Sequence, residues 1–157
     1  MIGHDARVAR WQDVVAADPE LAALVRRCFA GRKHATLATL RRDGSPRISG
    51  TEVEFGDDGE IYLGSMAQAM KALDLLRDPR LAIHGPTVDP PEDDPSSWPG
   101  EAKIAGVAVD VSDASSADGT HRFRIDVTEV VHTSVDGDRL IIRSWHPGRG
   151  AERRERR

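Results

Sequence analysis

Residues Ala35 to Gly85 read ATLATLRRDGSPRISGTEVEFGDDGEIYLGSMAQAMKALDLLRDPRLAIHG, and this stretch decides the fold. His34 to Leu40 has the period of a strand. The Arg42-Asp43-Gly44-Ser45 turn leads into a second strand, Pro46 to Phe55. Gly56-Asp57-Asp58-Gly59 turns the chain again into Ile61 to Gly64. A short helix is expected over Gln68 to Leu76, ended by Asp78-Pro79 because proline disfavours helix in the residue before it. Arg80 to His84 is a fourth strand.

Outward from this block, the same patterns continue. Pro86 to Gly100 carries five prolines, Pro86, Pro90, Pro91, Pro95 and Pro99, and is expected to lack regular structure. It reads either as a lid over a pocket or as a surface loop. Strands resume at Lys103 to Val111, His121 to Thr133 and Arg139 to Trp145. In the long one, Phe123, Ile125 and Val127 share a face opposite Arg122, Arg124, Asp126 and Thr128. Asp136-Gly137 marks a tight turn. Upstream, Val8, Trp11, Val14 and Val15 fall on one helical face. Asp18 is a natural N-cap, followed by Pro19 and Glu20 at the positive end of a second helix. Leu21, Leu24, Val25 and Cys28 form its apolar stripe, and Gly31 is its expected stop. Cys28 there is core, with a reactive thiol as the alternative.

Six or seven strands joined by short turns, with one short helix among them, argue for an antiparallel barrel flanked by helices. A single domain over 1–157 is expected, with helices to residue 31, a barrel over 34–145 and a basic tail over 146–157. The tail's Arg153, Arg154, Arg156 and Arg157 read as a frayed, solvated end.

Composition narrows the function. A net charge of −4 gives no electrostatic case for nucleic acid, and no strand offers an aromatic stacking platform. No stretch has the apolar length of a membrane span, and Met1 to Arg10 lacks a signal-peptide core. With a single cysteine no intrachain disulfide forms, and a cytoplasmic setting is expected. The six histidines lack metal-ligand spacing. GxGxxG, P-loop, CxxC, HExxH and nucleophile-elbow patterns are all absent, so a bound cofactor would have to supply any reactivity.

Several features, in order, resemble the pyridoxamine 5'-phosphate oxidase-like split-barrel family. They are Ala35-Thr36-Leu37, Asp43-Gly44-Ser45-Pro46, Gly64-Ser65, Lys71 and Asp78-Pro79-Arg80. Weaker matches follow at Glu101-Ala102-Lys103-Ile104-Ala105-Gly106 and Ser144-Trp145-His146-Pro147-Gly148. The resemblance implies a split β-barrel homodimer whose interface holds flavin mononucleotide (FMN) or the deazaflavin coenzyme F-420, and an oxidoreductase acting on a small molecule. It maps Ser49, Gly50 and Thr51 onto the wall beside the ring and ribityl chain; otherwise these are small residues at a barrel bend. It maps Gly64-Ser65 and Lys71 onto phosphate contacts, against the alternative of a solvated helix lysine.

Met70 stands where flavin-binding relatives often carry a second basic residue, so either phosphate affinity is lower or Arg47 supplies the second charge. Trp145 either packs on the ring from the partner subunit or closes the barrel end, and Arg149 would reach a phosphate or an acidic tail. With Arg47 and Arg149 available for a longer anion, the reading leans toward the deazaflavin. The rival is a non-catalytic cofactor- or tetrapyrrole-binding module on the same barrel.

Overall fold

A computed structural model describes residues 7–113 and 118–157. Two helices open it, α1 (Trp11–Ala17) and α2 (Pro19–Ala30). Asp18 caps α2 by accepting from the Leu21 amide at 3.0 Å, and Leu21, Ala22, Val25, Cys28 and Phe29 are buried. On α1, Trp11 and Val14 turn inward. Val8 and Val15 do not: both are exposed, because Val8 precedes the helix where Ala9 instead bridges to Val127 in both directions. Gly31 ends α2 without a left-handed turn, at φ −64°.

The sheet has nine strands rather than the six or seven expected. They are β1 (Ala35–Leu40), β2 (Pro46–Thr51), β3 (Val53–Phe55), β4 (Ile61–Ser65), β5 (Arg80–His84), β6 (Glu101–Asp110), β7 (His121–Asp136), β8 (Arg139–His146) and β9 (Gly150–Arg156). Helix α3 (Met70–Arg77) lies between β4 and β5. The strand order is β2-β1-β5-β6-β7-β4-β3, with β8 and β9 extending from β7. All pairings are antiparallel.

Strands β2 and β3 stand at opposite ends of that order, yet only Glu52 separates them in the chain. A sheet whose two ends are one residue apart must curl until they meet, and that closure makes the barrel. Inward positions continue through the break, from Thr51 to Val53 and Phe55, so alternation alone reads β2 and β3 as one strand.

The split arises on β7. Its first part pairs with β4 over His121–Arg124, and its last part pairs with β8 over Val130–Asp136. A bulge opposite Ala105 and Gly106 separates the two and leaves Thr128 without a ladder partner. Buried positions therefore shift from Phe123, Ile125 and Val127 to Val130 and His132. Gly106 makes the bulge possible, since a Cβ there would stand 2.2 Å from the Asp126 carbonyl oxygen.

The C-terminal segment is not a frayed tail. Residues of β9 pair with β8 from His146↔Gly150 to Leu140↔Arg156, and Glu155 accepts from Arg139 at 2.7 Å. Its charged side chains stay solvated while its backbone completes a hairpin, and a charged edge resists further strand pairing.

The proline-rich connection holds one 3₁₀ turn, Pro95–Ser97. It is anchored where Trp98 Nε1 donates to the Val88 carbonyl at 2.7 Å and His132 Nε2 to that of Pro99 at 3.1 Å. Cys28 is 5% exposed, its Sγ lies 3.6 Å from the Pro99 and Gly100 carbonyls, and burial pushes its thiol pKa up, so it acts as core. No described helix is long and apolar enough to cross a membrane.

Candidate functional site

An open groove of about 960 Å³ lies where the barrel closes. One wall is Gly50 to Glu54, the crossing from β2 to β3, with His34 just ahead of β1. The opposite wall is Gly64, Ser65 and Met66 at the end of β4, with Thr120, His121 and Arg122 entering β7 beside it. Lys71, in the first turn of α3, borders the space between them. Gly50, Thr51, Gly64, Ser65 and Lys71 thus come together as the sequence predicted, though they span three elements.

Two features of the groove suit a ligand. A Cβ built on Gly50 or Gly64 would meet nothing within 4 Å, so both glycines leave open space over their backbones. Thr51 Oγ1 is buried without a hydrogen-bond partner among the described residues, and so is His121 Nε2. Polar atoms left unsatisfied at a cavity wall call for a partner, and a ligand can supply one. Lys71 Nζ donates to the Gly50 carbonyl at 2.8 Å, a neutral acceptor that holds the side chain across the groove and leaves its charge uncompensated. Ser65 Oγ makes only a 3.5 Å contact with the Met66 carbonyl.

Other predicted residues lie elsewhere. Ser49 is on β2 beyond the groove lining. Arg47 is bound away: its Nε donates to Asp74 at 2.7 Å. Asp74 is 1% exposed and also accepts from Thr39 at 2.8 Å and Arg77 at 3.1 Å. Burial would raise its carboxyl pKa, but the bonds from Arg47, Thr39 and Arg77 outweigh that and hold it below the usual range. Arg47 therefore fastens α3 to the β1–β2 hairpin instead of contacting a phosphate. Trp145 is 7% exposed, packed in the core opposite Val130, so it closes the barrel and presents no face to a ring. Arg149 is exposed in the β8–β9 turn, outside the groove.

Sequence reasoning missed Asp74, His34, His121 and Arg122. An acid between Ala72 and Leu75 on the buried side of α3 was a readable signal. The two histidines had none, because they are 87 positions apart and meet only through closure. Arg122 is engaged by Glu54 at 3.1 Å and lies 4.2 Å over the Tyr62 ring. Among the described residues, no group of three or more His, Cys, Asp or Glu is placed to hold a metal.

Residues 19–143 match the family of pyridoxamine 5'-phosphate oxidase. The chain belongs to that family. Solved structures agree on the fold. One is a pyridoxamine 5'-phosphate oxidase-related, FMN-binding protein from Nostoc punctiforme, 11% identical, with 97% of this chain and 99% of that chain covered at a TM-score of 0.60. A heme-binding protein from Mycobacterium smegmatis is 17% identical over 87% of this chain and 88% of that chain, with a TM-score of 0.53. A conserved hypothetical protein from Mycobacterium tuberculosis is 22% identical over 70% of this chain and 89% of that chain, also at 0.53. No curated protein matches by sequence.

Proposed function

We propose that the groove binds a flavin or deazaflavin cofactor at a homodimer interface and that the protein is an oxidoreductase acting on a small molecule. The observation carrying this reading is the conjunction of Lys71 and Ser65 at one end of the groove with the orphaned Thr51 hydroxyl and the open glycines along its walls. When bound, the cofactor ring would supply the hydride chemistry. Lys71 and Ser65 would hold its phosphate by charge-assisted hydrogen bonds, and Thr51 would bond a heteroatom of the ring or its side chain. Gly50 and Gly64 would let the ring approach the backbone.

The lean toward the deazaflavin drew on two arginines, and Arg47 is now committed to Asp74. FMN, ending in one compact phosphate, suits Ser65 and Lys71 better; the longer acidic tail of the deazaflavin would draw on Arg149. A second copy is the proposed partner. The outer barrel face runs Ile48–Ala38–Ala82–Ala105 across four strands, and Ile48 is 74% exposed. Such a small, apolar surface suits a symmetric contact, across which Arg149 would reach the partner's groove. Titration with each cofactor, read by ring fluorescence, is the test. Saturable binding of either supports the reading, and binding of neither overturns it.

The alternative is tetrapyrrole binding without catalysis, favoured by two imidazoles, His34 and His121, on one groove. A shift of the heme absorption band on adding the protein, lost in His121→Ala, would support it over the flavin.

A further inference from the structure

Among the described residues lining the groove, Lys71 is the one lysine or arginine without an acidic partner. Its neighbour Met70 adds no charge. Arg47 is spent on buried Asp74, and Arg122 on Glu54 and the Tyr62 ring. Arg149 lies outside the groove. What stands next to Ser65 is His121: the two are direct partners across the β4–β7 ladder. Side chains directly opposite on antiparallel strands have Cβ atoms about 4.5–5.5 Å apart, so one ligand oxygen can serve both.

His121 is also fixed in place. Its ring stacks on Phe123 with centroids 6.1 Å apart and 13° between the planes, and it lines the groove. Its Nε2 is buried with no hydrogen-bond partner among the described residues. From β6, Asp110 feels the His121 charge; its carboxyl is held below the usual range chiefly by Ser112, with a smaller contribution from His121. The charged side chains that share the groove lining with it are Lys71, Arg122, Glu52 and Glu54, together with the His34 imidazole.

We propose that His121 supplies the missing second charge of the phosphate site, so that binding a phosphate-bearing cofactor takes up a proton at its imidazole. This rests on the flavin reading and gives that site a pH response. Histidine is the side chain whose charge ordinarily changes between pH 5 and 8, so the second charge is present on the acid side and lost on the alkaline side. Lys71 sets the baseline.

The test is FMN affinity from fluorescence titration between pH 5.5 and 8.5, in the wild type, His121→Gln and, outside the groove, His84→Gln, with riboflavin as the phosphate-free control. The phosphate's own second ionisation, near pH 6, affects all variants alike and cancels in their ratio. The wild type should bind FMN at least about tenfold more tightly than His121→Gln at the acid end, and the two should converge at the alkaline end. His84→Gln should follow the wild type, and riboflavin should show no such ratio. A ratio that does not change with pH, with FMN still bound, overturns the role of His121 alone. No FMN binding in any variant overturns the cofactor reading and this inference together. A proton resonance of the His121 ring whose titration midpoint rises when FMN is added would support the inference independently of affinity.

Discussion

Replacing Asp74 with Ala should destabilise the fold by about 3 kcal/mol. The carboxylate is 1% exposed and receives bonds from Arg47 at 2.7 Å, Thr39 at 2.8 Å and Arg77 at 3.1 Å. Deleting it leaves two guanidinium groups and a buried hydroxyl short of a partner, and breaking such a buried pair costs about 3–5 kcal/mol. Arg47 and Arg77 keep side-chain exposures of 21% and 30%, so water recovers part of that loss and the lower end applies. For a chain of this length the change corresponds to a fall in Tm of about 6–12 °C. Urea and thermal unfolding measure it, and a double-mutant cycle with Arg47→Ala should show coupling above about 1 kcal/mol. The pH response has a definite sign. Because the native carboxyl lies below its unfolded value, its contribution is complete above about pH 4 and is lost as pH falls through the native pKa. Asp74→Asn should remove that acid limb. A loss under about 1 kcal/mol with additive costs in the cycle would refute the claim that Asp74 fastens α3.

Lys71→Ala should weaken FMN binding by about 1.5–3 kcal/mol while leaving the unfolding midpoint nearly unchanged, since among the described residues its Nζ bonds only the Gly50 carbonyl; unaltered affinity would return Lys71 to an ordinary helix position. Burial holds the His132 imidazole below its ordinary pKa, its Nδ1 having no partner among the described residues. Unfolding free energy should therefore be flat above about pH 6.5 and decline as pH falls from there through the native pKa, and His132→Gln should lose that slope. Gly106→Ala should cost about 1–3 kcal/mol by forcing its Cβ against the Asp126 carbonyl, read as a lowered Tm. Light scattering on a size-exclusion column should give twice the monomer mass at micromolar concentration, and a shift toward monomer in Ile48→Asp.

Much of this protein was legible in its sequence because the deciding signals are local. Alternating side chains, the Asp43-Gly44 and Asp136-Gly137 turns, and Asp18-Pro19 at the start of α2 each act within a few residues, and each element stands within a few positions of its expected place. The block from Ala35 to Gly85 also carried the family and five of the groove's lining residues: Gly50, Thr51, Gly64, Ser65 and Lys71. What failed was decided at long range. Alternation cannot show that Glu52 ends one strand and begins another, because the inward positions keep their phase while the hydrogen-bonding partner changes from β1 to β4. The charged residues of β9 looked like a frayed end because nothing in them is apolar, yet a strand needs only a partner's backbone, which β8 provides.

Long range also decided the charges. Arginine is the same letter whether it faces a phosphate or a buried acid, and only the packing of α3 against the hairpin assigns Arg47 to Asp74. Trp145 was open between cofactor and core until the ladder placed it against Val130. The pairing of His121 with Ser65 depends on a register between strands more than fifty residues apart in the chain, fixed by barrel closure and the bulge at Gly106. The sequence by itself determined most of the elements, the family and the residue types on the groove's walls. Tertiary structure decided which charges are consumed by the fold and which are left to face a ligand, because that depends on distances which only closure of the barrel sets.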